Sequence, residues 1–220
     1  MSYAWSNVTS CVHSSFNLAS GRPGAYLKGV TRVLSGVLLA TAFVVAMRCS
    51  TLADARTGSV VNFMNTLAET AIQANQKIDR NELEEIIRNH VDVEGIGNFA
   101  LGSYLTQLRT AEMDGYYDAV INFLARYAAM QSRRYQVEKA EFYRPSYHKD
   151  NTITLRSKVT LAGGTSYRVK WRIIKTDGKF KVLDAKILGF WLTPIQRRMF
   201  RSYIRENNDD VHALVDVLGQ

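Results

Sequence analysis

The segment that decides the fold runs from residue 152 to residue 188 and reads TITLRSKVTLAGGTSYRVKWRIIKTDGKFKVLDAKIL. Apolar and polar residues alternate from Thr152 to Leu161, which predicts a strand with one buried and one wet face. Gly163-Gly164 predicts a hairpin turn, because glycine reaches positive φ without a Cβ clash. The next strand, residues 165–175, repeats the alternation. Its apolar side consists of Tyr167, Val169, Trp171 and Ile173.

A second turn, at Asp177-Gly178, leads into a strand over residues 179–188, and two registers are open for this hairpin. A two-residue turn would place Phe180, Val182 and Asp184 beside the aromatic face. A three-residue loop with Gly178 in a bulge would place Leu183, Ala185 and Ile187 there instead. We favour the bulge, because it buries no carboxylate.

Helical periodicity flanks the strands on both sides. Asp79, Thr110, Thr193-Pro194 and Asp209 are the predicted starts of four helices, since such side chains cap free backbone N–H groups. An earlier helix carries an apolar stripe formed by Val60, Phe63, Met64, Leu67, Ala71 and Ile72. We predict an α+β fold, with helices packed on one curved antiparallel sheet of about four strands enclosing an apolar cavity. An NTF2-like cone is compatible with this pattern.

Residues 33–47 (VLSGVLLATAFVVAM) form the one long apolar run, and Ala53-Asp54-Ala55 follows it with small residues. This pattern predicts a secretory signal within residues 1–55, cleaved after Ala55. The run is shorter than the ~20 residues that a membrane-spanning helix needs. An uncleaved N-terminal anchor is the alternative, and both interpretations export residues 56–220 as a single domain.

The chain is basic, with 28 lysines and arginines against 20 acidic residues and a net charge of +8 over 220 residues. Both cysteines, Cys11 and Cys49, lie in the predicted leader. The remaining domain therefore has no thiol for a disulfide or a thiolate metal site. Its stability must come from its core.

The sequence carries no recognisable catalytic motif. His90, His148 and His212 do not have the i, i+4 spacing of a helical zinc pair, and no nucleophile elbow or phosphate-binding glycine loop is present. We predict no metal and no cofactor. Asp184 has two interpretations: a base with a raised pKa in a cone-shaped pocket, or a structural carboxylate at the rim.

The polar side of the two strands is strongly basic. It is either a solvated face or a surface for an anionic partner, of which phosphate headgroups come first. The residues concerned are Arg156, Lys158, Arg168, Lys170 and Arg172.

The order of segments resembles the MlaC, or toluene-tolerance, family of periplasmic phospholipid-binding proteins, which are auxiliary components of ABC-type lipid transporters. The resemblance rests on Leu101-Gly102-Ser103-Tyr104, on the helix from Thr110 to Tyr127 and on Phe180-Lys181-Val182-Leu183-Asp184. Gly189-Phe190-Trp191 departs from the family pattern, in which small residues usually follow the corresponding glycine.

The resemblance implies a monomeric periplasmic phospholipid carrier with a role in outer-membrane lipid asymmetry. Its implied partners are a membrane-bound ABC transporter complex and an outer-membrane lipoprotein complex, with transient membrane contact and no nucleic acid. Acyl chains need an apolar cleft and no chemistry. The candidate lining residues are Phe99, Leu101, Tyr104, Leu155, Val159, Tyr167, Val169, Trp171, Ile173, Phe190 and Trp191.

An arginine row follows Pro194 on the predicted helix, and it has two interpretations: a solvated face, as such rows usually are, or a surface that docks on a transporter component or on anionic headgroups. Arg198 and Arg201 are the candidate docking residues, flanked by Arg197 and Arg205. The inner stripe of this helix is predicted to be Ile195, Met199 and Tyr203.

Two other functions remain open. One is a small-molecule enzyme or binder with a cone-shaped pocket, in which Asp184 is the base. The other is a non-enzymatic scaffold protein of the cell envelope that encloses no ligand.

Overall fold

The α-helices lie before and after a block of strands along the chain. The computed structural model describes residues 50–77 and 79–220. The predicted signal run at residues 33–47 lies outside the described residues, and cleavage after Ala55 stays a prediction. The residues from Ala55 to Gln220 form one compact unit. The helices are α1 (Ser50–Lys77), α2 (Arg80–His90), α3 (Val93–Leu101), α4 (Met113–Ser132), α5 (Leu192–Glu206) and α6 (Val211–Gly219).

The strands form one curved, unclosed antiparallel sheet, so the predicted α+β fold is confirmed. The sheet order is β1-β3-β4-β5-β6, and β2 also pairs with β3. The sheet has more strands than the four expected, because β2 and β6 are two-residue segments too short to show an alternation. The strands are β1 (Val137–Phe142), β2 (Ser146–Tyr147), β3 (Thr152–Leu161), β4 (Ser166–Thr176), β5 (Lys179–Ile187) and β6 (Phe190–Trp191).

The start of α2 is confirmed. The Asp79 side chain accepts hydrogen bonds from the backbone N–H groups of Asn81 at 3.0 Å and Glu82 at 3.2 Å. These bonds satisfy two of the donors that a helix start leaves free. The last helix begins one residue later than predicted, because Asp210 rather than Asp209 caps it.

The predicted cap at Thr110 is wrong. A 3₁₀ turn over Thr110–Glu112 precedes α4, and a longer 3₁₀ segment, Gly102–Gln107, follows α3. The Glu112 carboxylate accepts the backbone N–H of Arg109 at 2.8 Å and pairs with its guanidinium at 2.7 Å. The charged pair therefore replaces the threonine hydroxyl as the cap.

Helix α4 is the centre of the helical layer, with α2 and α6 packed against it and α3 nearby. Tyr116 is fully buried in α4, and its hydroxyl donates a hydrogen bond to the carbonyl of Gly97 in α3 at 2.9 Å. A Cβ at position 97 would lie 3.1 Å from the Tyr116 ring, so glycine permits this close approach. Burial raises the pKa of Tyr116.

The register of the β4–β5 hairpin combines the two alternatives. The turn has two residues, since Thr176 pairs with Lys179, and both Asp177 (φ 50°) and Gly178 (φ 76°) have positive φ. The register then shifts between the pairs Ile173–Val182 and Arg172–Asp184. Our placement of the bulge at Gly178 is therefore wrong, because the extra residue is Leu183.

This displaced bulge decides which β5 side chains share the aromatic face. Val182 lies there opposite Ile173, and beyond the bulge Ala185 and Ile187 lie there opposite Trp171 and Val169. Asp184 pairs in register with Arg172 and lies on the other face. The bulge thus keeps the carboxylate off the aromatic face, as the preferred register required, although it does so from a different position.

Helix α1 covers one end of the sheet. The buried cluster that joins them consists of Val60, Met64, Ile153, Leu155, Ile173 and Val182. Phe63 and Leu67 pack against this cluster from α1, which agrees with the stripe predicted from the sequence.

Candidate functional site

The aromatic face of the sheet is a continuous apolar surface, which we call the apolar face. It holds the alternate residues of β3 and β4 from Ile153 to Leu161 and from Tyr167 to Ile173. Its burial changes along the strands. Leu155 and Ile173 are fully buried beneath α1, whereas Val159 and Tyr167 are only half-buried at the other end.

We call this less buried end the open end of the apolar face. Val159 lies directly opposite Tyr167, and Leu161 lies two residues further along β3. Ile187 and Phe190 pair with each other and continue the same face onto β5 and β6, since Ile187 is also the partner of Val169. Phe190 is 48% exposed, so this end leaves apolar surface in contact with solvent.

Trp171 and Ser157 mark the boundary between the covered and open ends. The Trp171 indole Nε1–H donates to Ser157 Oγ at 2.9 Å, and Ser157 is fully buried. Phe142 of β1 packs, like Trp171, against the buried cluster beneath α1, and the centroids of the two rings are 6.5 Å apart. Sequence reasoning missed Ser157, although a serine in the apolar register of a strand was the available signal for a buried polar partner.

The candidate residues on the helical side have partners within the protein. Leu101 is fully buried, and the Tyr104 hydroxyl donates to the carboxylate of Asp209, which raises the pKa of that hydroxyl. Phe99 is exposed, and the guanidinium of Arg197 lies over its ring at 4.9 Å. Leu101 and Tyr104 therefore anchor α3 and the following 3₁₀ segment.

Gly102 explains the glycine of the L-G-S-Y segment. It has φ +59°, and a Cβ there would lie 2.5 Å from a nitrogen of the Arg197 guanidinium. The same guanidinium donates to the Phe99 carbonyl at the end of α3. A cation at the C-terminal end of a helix is favourable, so Arg197 joins α5 to α3 through this contact.

Trp191 lies on the opposite side of the sheet from Tyr167, Trp171 and Phe190. It pairs with Lys186, and the cationic groups of Arg172, Lys186 and Lys170 lie 4.4, 5.8 and 6.0 Å from its ring centroid. Its neighbour Phe190 lies on the apolar face. The short strand β6 thus presents one aromatic side chain to each side of the sheet.

Asp184 is buried and fixes the start of α5. One carboxylate oxygen accepts the backbone N–H of Ala185 at 2.8 Å and that of Thr193 at 3.0 Å. Because Thr193 lies in the first turn of α5, Asp184 caps this helix from the neighbouring strand. The predicted start at Thr193-Pro194 is two positions late, since α5 begins at Leu192. These contacts favour the structural interpretation of Asp184 over the catalytic one.

The arginine row on α5 divides into two parts. Arg198 and Arg205 are exposed, whereas Arg201 is half-buried with its guanidinium 5.6 Å from the centroid of the Tyr104 ring. The Arg197 guanidinium donates to the Phe99 carbonyl at the end of α3. The buried stripe of α5 consists of Gln196, Phe200 and Ile204, one residue after the predicted stripe of Ile195, Met199 and Tyr203, which are half-buried.

The described residues contain no group of three or more histidine, cysteine or acidic side chains arranged to hold a metal ion. Within the same part of the chain, no helix combines the length and the hydrophobicity needed to cross a membrane. A shallow groove of about 410 Å³ lies between α4 and α6, lined partly by Asp118 and Asp216. These two carboxylates do not suit an anionic ligand.

Comparisons with known proteins agree with this geometry. No curated protein was matched. Among solved structures, the chain is similar to a phospholipid-binding protein from Ralstonia solanacearum, solved in complex with a phospholipid at 1.53 Å resolution. The sequence identity is 18% and the TM-score 0.57, over 72% of this chain and 93% of that chain, which supports the fold. Residues 59–220 match the family described as MlaC protein. Because this match covers most of the chain, the protein belongs to the MlaC family.

Proposed function

We propose that this protein is an exported phospholipid carrier that holds acyl chains against the open end of its apolar face. The observation that carries the proposal is the change in burial along that face. Leu155 and Ile173 have a helix above them, whereas Val159, Tyr167 and Phe190 keep apolar surface in contact with solvent. The likeness to a solved protein that holds a phospholipid supports the same conclusion.

Hydrophobic burial supplies the affinity in this proposal. Each methylene group buried contributes about 0.8 kcal/mol, so a few methylenes of each chain against the open end offset the loss of ligand freedom. No reacting group is needed. Trp171 and Ser157 form the floor of the site, because Ser157 Oγ accepts the indole N–H and so leaves no unpaired indole donor facing the ligand.

The candidate residues take different roles in this proposal. Val159, Tyr167, Trp171 and Phe190 contact the acyl chains directly. Val169 lies between Tyr167 and Trp171 on the same face and lines the floor. The remaining candidates support the site from the protein core or flank it: Phe99, Leu101, Tyr104, Leu155, Ile173 and Trp191.

Family membership supports a role in lipid transport. We infer that the protein works in the periplasm as the monomeric carrier of an ABC-type lipid transport system. In this scheme it exchanges phospholipid with a membrane-bound ABC transporter complex and with an outer-membrane lipoprotein complex. The exposed Arg198 and Arg205 of α5 are available to dock on acidic surfaces of these partners.

A matched pair of variants on β4 tests the binding site. Tyr167 and Ser166 are neighbours on opposite faces, and each substitution by aspartate adds the same charge. Tyr167→Asp places a carboxylate among the acyl chains, so we expect it to lose most of the phospholipid that copurifies with the folded protein. Ser166→Asp should retain it.

The measurement is phospholipid recovered per folded protein, after circular dichroism has shown that both variants fold. Equal recovery from the two variants would contradict the assignment of the ligand to the apolar face.

A further inference from the structure

The side of the sheet opposite the apolar face carries a set of unpaired cations, which we call the basic face. In the part of the chain that the structure describes, none of its side chains forms an ion pair within 4 Å. The buried Asp184, which lies opposite Arg172 on this face, accepts the backbone N–H groups of Ala185 and Thr193 instead. The set consists of Arg156, Lys158, Arg168, Lys170, Arg172 and Lys186.

The strand register places like charges directly opposite each other on this face. Lys170 lies between Arg156 on β3 and Lys186 on β5, and Lys158 lies opposite Arg168. Like charges in directly opposed positions destabilise a sheet. Glu141, the acidic partner of Lys158 in the register, is bonded to Lys139 instead. The basic face therefore has a positive field that an anionic partner would relieve.

Exposed apolar side chains adjoin the basic face at the β6 edge. The turn between β5 and β6 contains Leu188 (φ 51°) and Gly189 (φ 91°), and a left-handed conformation is unfavourable for leucine. Phe190 is 48% exposed and Leu192 is 40% exposed on either side of Trp191. We call Leu188, Phe190, Trp191 and Leu192 the apolar tip.

We propose that the basic face and the apolar tip together bind the surface of a membrane that contains anionic phospholipid. Lysine and arginine are attracted to anionic headgroups, while tryptophan and other apolar side chains enter the interfacial region of a bilayer. An acidic protein surface would account for the cations but not for the adjoining apolar tip. Trp191, with three cations around its ring, belongs to both parts of the surface.

This inference goes beyond the proposed carrier function and stands on different residues, except at Phe190 and at Trp191, which flanks the proposed site. The Phe190 side chain lies at the open end of the apolar face and in the apolar tip at once. If acyl chains occupy the open end, docking through the tip brings the mouth of the site to the membrane surface.

The test measures partition of the full chain, as it is purified, into vesicles of phosphatidylglycerol and of phosphatidylcholine. We expect binding to phosphatidylglycerol vesicles that weakens as salt rises from ~0.1 M to ~1 M, because the Debye length falls from ~10 Å to ~3 Å. Lys170→Glu should lower this binding at least about five-fold, since each cation near an anionic surface contributes about that factor. Phe190→Ser should lower it as well.

Two exposed residues at the opposite edge of the sheet provide matched controls. Lys149→Glu makes the same charge change in the loop before β3, and Tyr143→Ser removes an aromatic ring that is 51% exposed. Both controls should bind as the unmodified protein does. Lys170→Glu should also raise the unfolding temperature, because it converts two like-charge pairs into opposite-charge pairs.

If Lys170→Glu is more stable than the unmodified protein but binds vesicles less, the result would support a basic face whose role is membrane binding. Equal binding of Lys170→Glu and Lys149→Glu would overturn the proposal. Absence of binding by the unmodified protein to phosphatidylglycerol vesicles would also overturn it, and would leave the cations to an acidic protein partner. Native mass spectrometry of each variant reports its bound lipid separately, so failure of membrane docking is distinguishable from failure of the carrier function.

Discussion

Replacement of Asp184 by alanine removes the carboxylate that attaches α5 to the sheet. The structure assigns two hydrogen bonds to it, from the N–H groups of Ala185 at 2.8 Å and Thr193 at 3.0 Å. Asp184 is only 6% exposed, so water cannot readily replace the lost acceptor. The substitution leaves two backbone donors unsatisfied, one in β5 and one in the first turn of α5.

The magnitude follows from these two bonds. A hydrogen bond to a charged group contributes about 1.5–3 kcal/mol, and an unsatisfied buried donor costs about 1–3 kcal/mol. Both ranges count the loss of the same two hydrogen bonds, so they are not added together. We therefore expect Asp184→Ala to lower the unfolding free energy by about 3 kcal/mol. In a domain of this size, that corresponds to a fall of about 6–12 °C in the unfolding temperature. Asp184→Asn keeps an acceptor oxygen and should cost about 1 kcal/mol.

Urea denaturation followed by circular dichroism measures both values, and Glu138→Ala on the exposed surface of β1 serves as the control. Phospholipid content should be unchanged in Asp184→Asn, because its side chain lies on the face opposite the proposed ligand. The reasoning is refuted if Asp184→Ala unfolds within about 0.5 kcal/mol of the unmodified protein, which lies inside the range of ordinary surface substitutions. A stable Asp184→Asn variant that loses a measured enzymatic activity would instead support the catalytic alternative.

Three further predictions concern the helices. Gly102→Ala should destabilise the protein by about 1–2 kcal/mol, because position 102 has a positive φ and the Arg197 guanidinium packs on it. Gly115→Ala in α4 should stabilise the protein by about 0.5–1 kcal/mol, because a Cβ there meets nothing within 4 Å. Thermal unfolding compares the two variants. Hydrogen bonds from the neighbouring arginine lower the pKa of Glu112 to about 2 from its ordinary 4.5. The stabilisation that these bonds give is therefore complete above pH 4.5 and is lost as pH falls towards 2. Glu112→Gln should make the unfolding free energy depend less on pH between pH 4.5 and 2. The double variant Arg198→Glu with Arg205→Glu should keep its lipid but transfer it more slowly to liposomes that carry the partner complexes, and an unchanged transfer rate would contradict docking through α5.

The sequence predicted the sheet better than it predicted the ends of the helices. Alternation in β3 and β4 identified the apolar face correctly, because a strand has a period of two wherever one side is buried. The bulge at Leu183 could not be located, since both hairpin registers placed hydrophobic residues on the aromatic face. Neither register included a bulge inside β5, and the contact of Asp184 with α5, which holds the carboxylate on the other face, is made across the fold.

The candidate site was predicted in part for a similar reason. Phe190 and Trp191 are adjacent aromatic residues, and no periodicity in a two-residue strand indicates which of them faces the apolar side. The observed stripe of α5 lies one residue after the predicted one, because its first buried position holds the polar Gln196 and the apolar pattern favoured the neighbouring Ile195. The sequence predicts Leu101 and Tyr104 as lining residues, because it does not distinguish a core anchor from a cavity wall.

Native mass spectrometry of the unmodified protein, purified gently from the exported fraction, tests the central claim most directly. We predict a folded protein that carries phospholipid, whose mass is released when the protein unfolds. A folded protein that never carries lipid, even after incubation with phospholipid vesicles, would contradict the account.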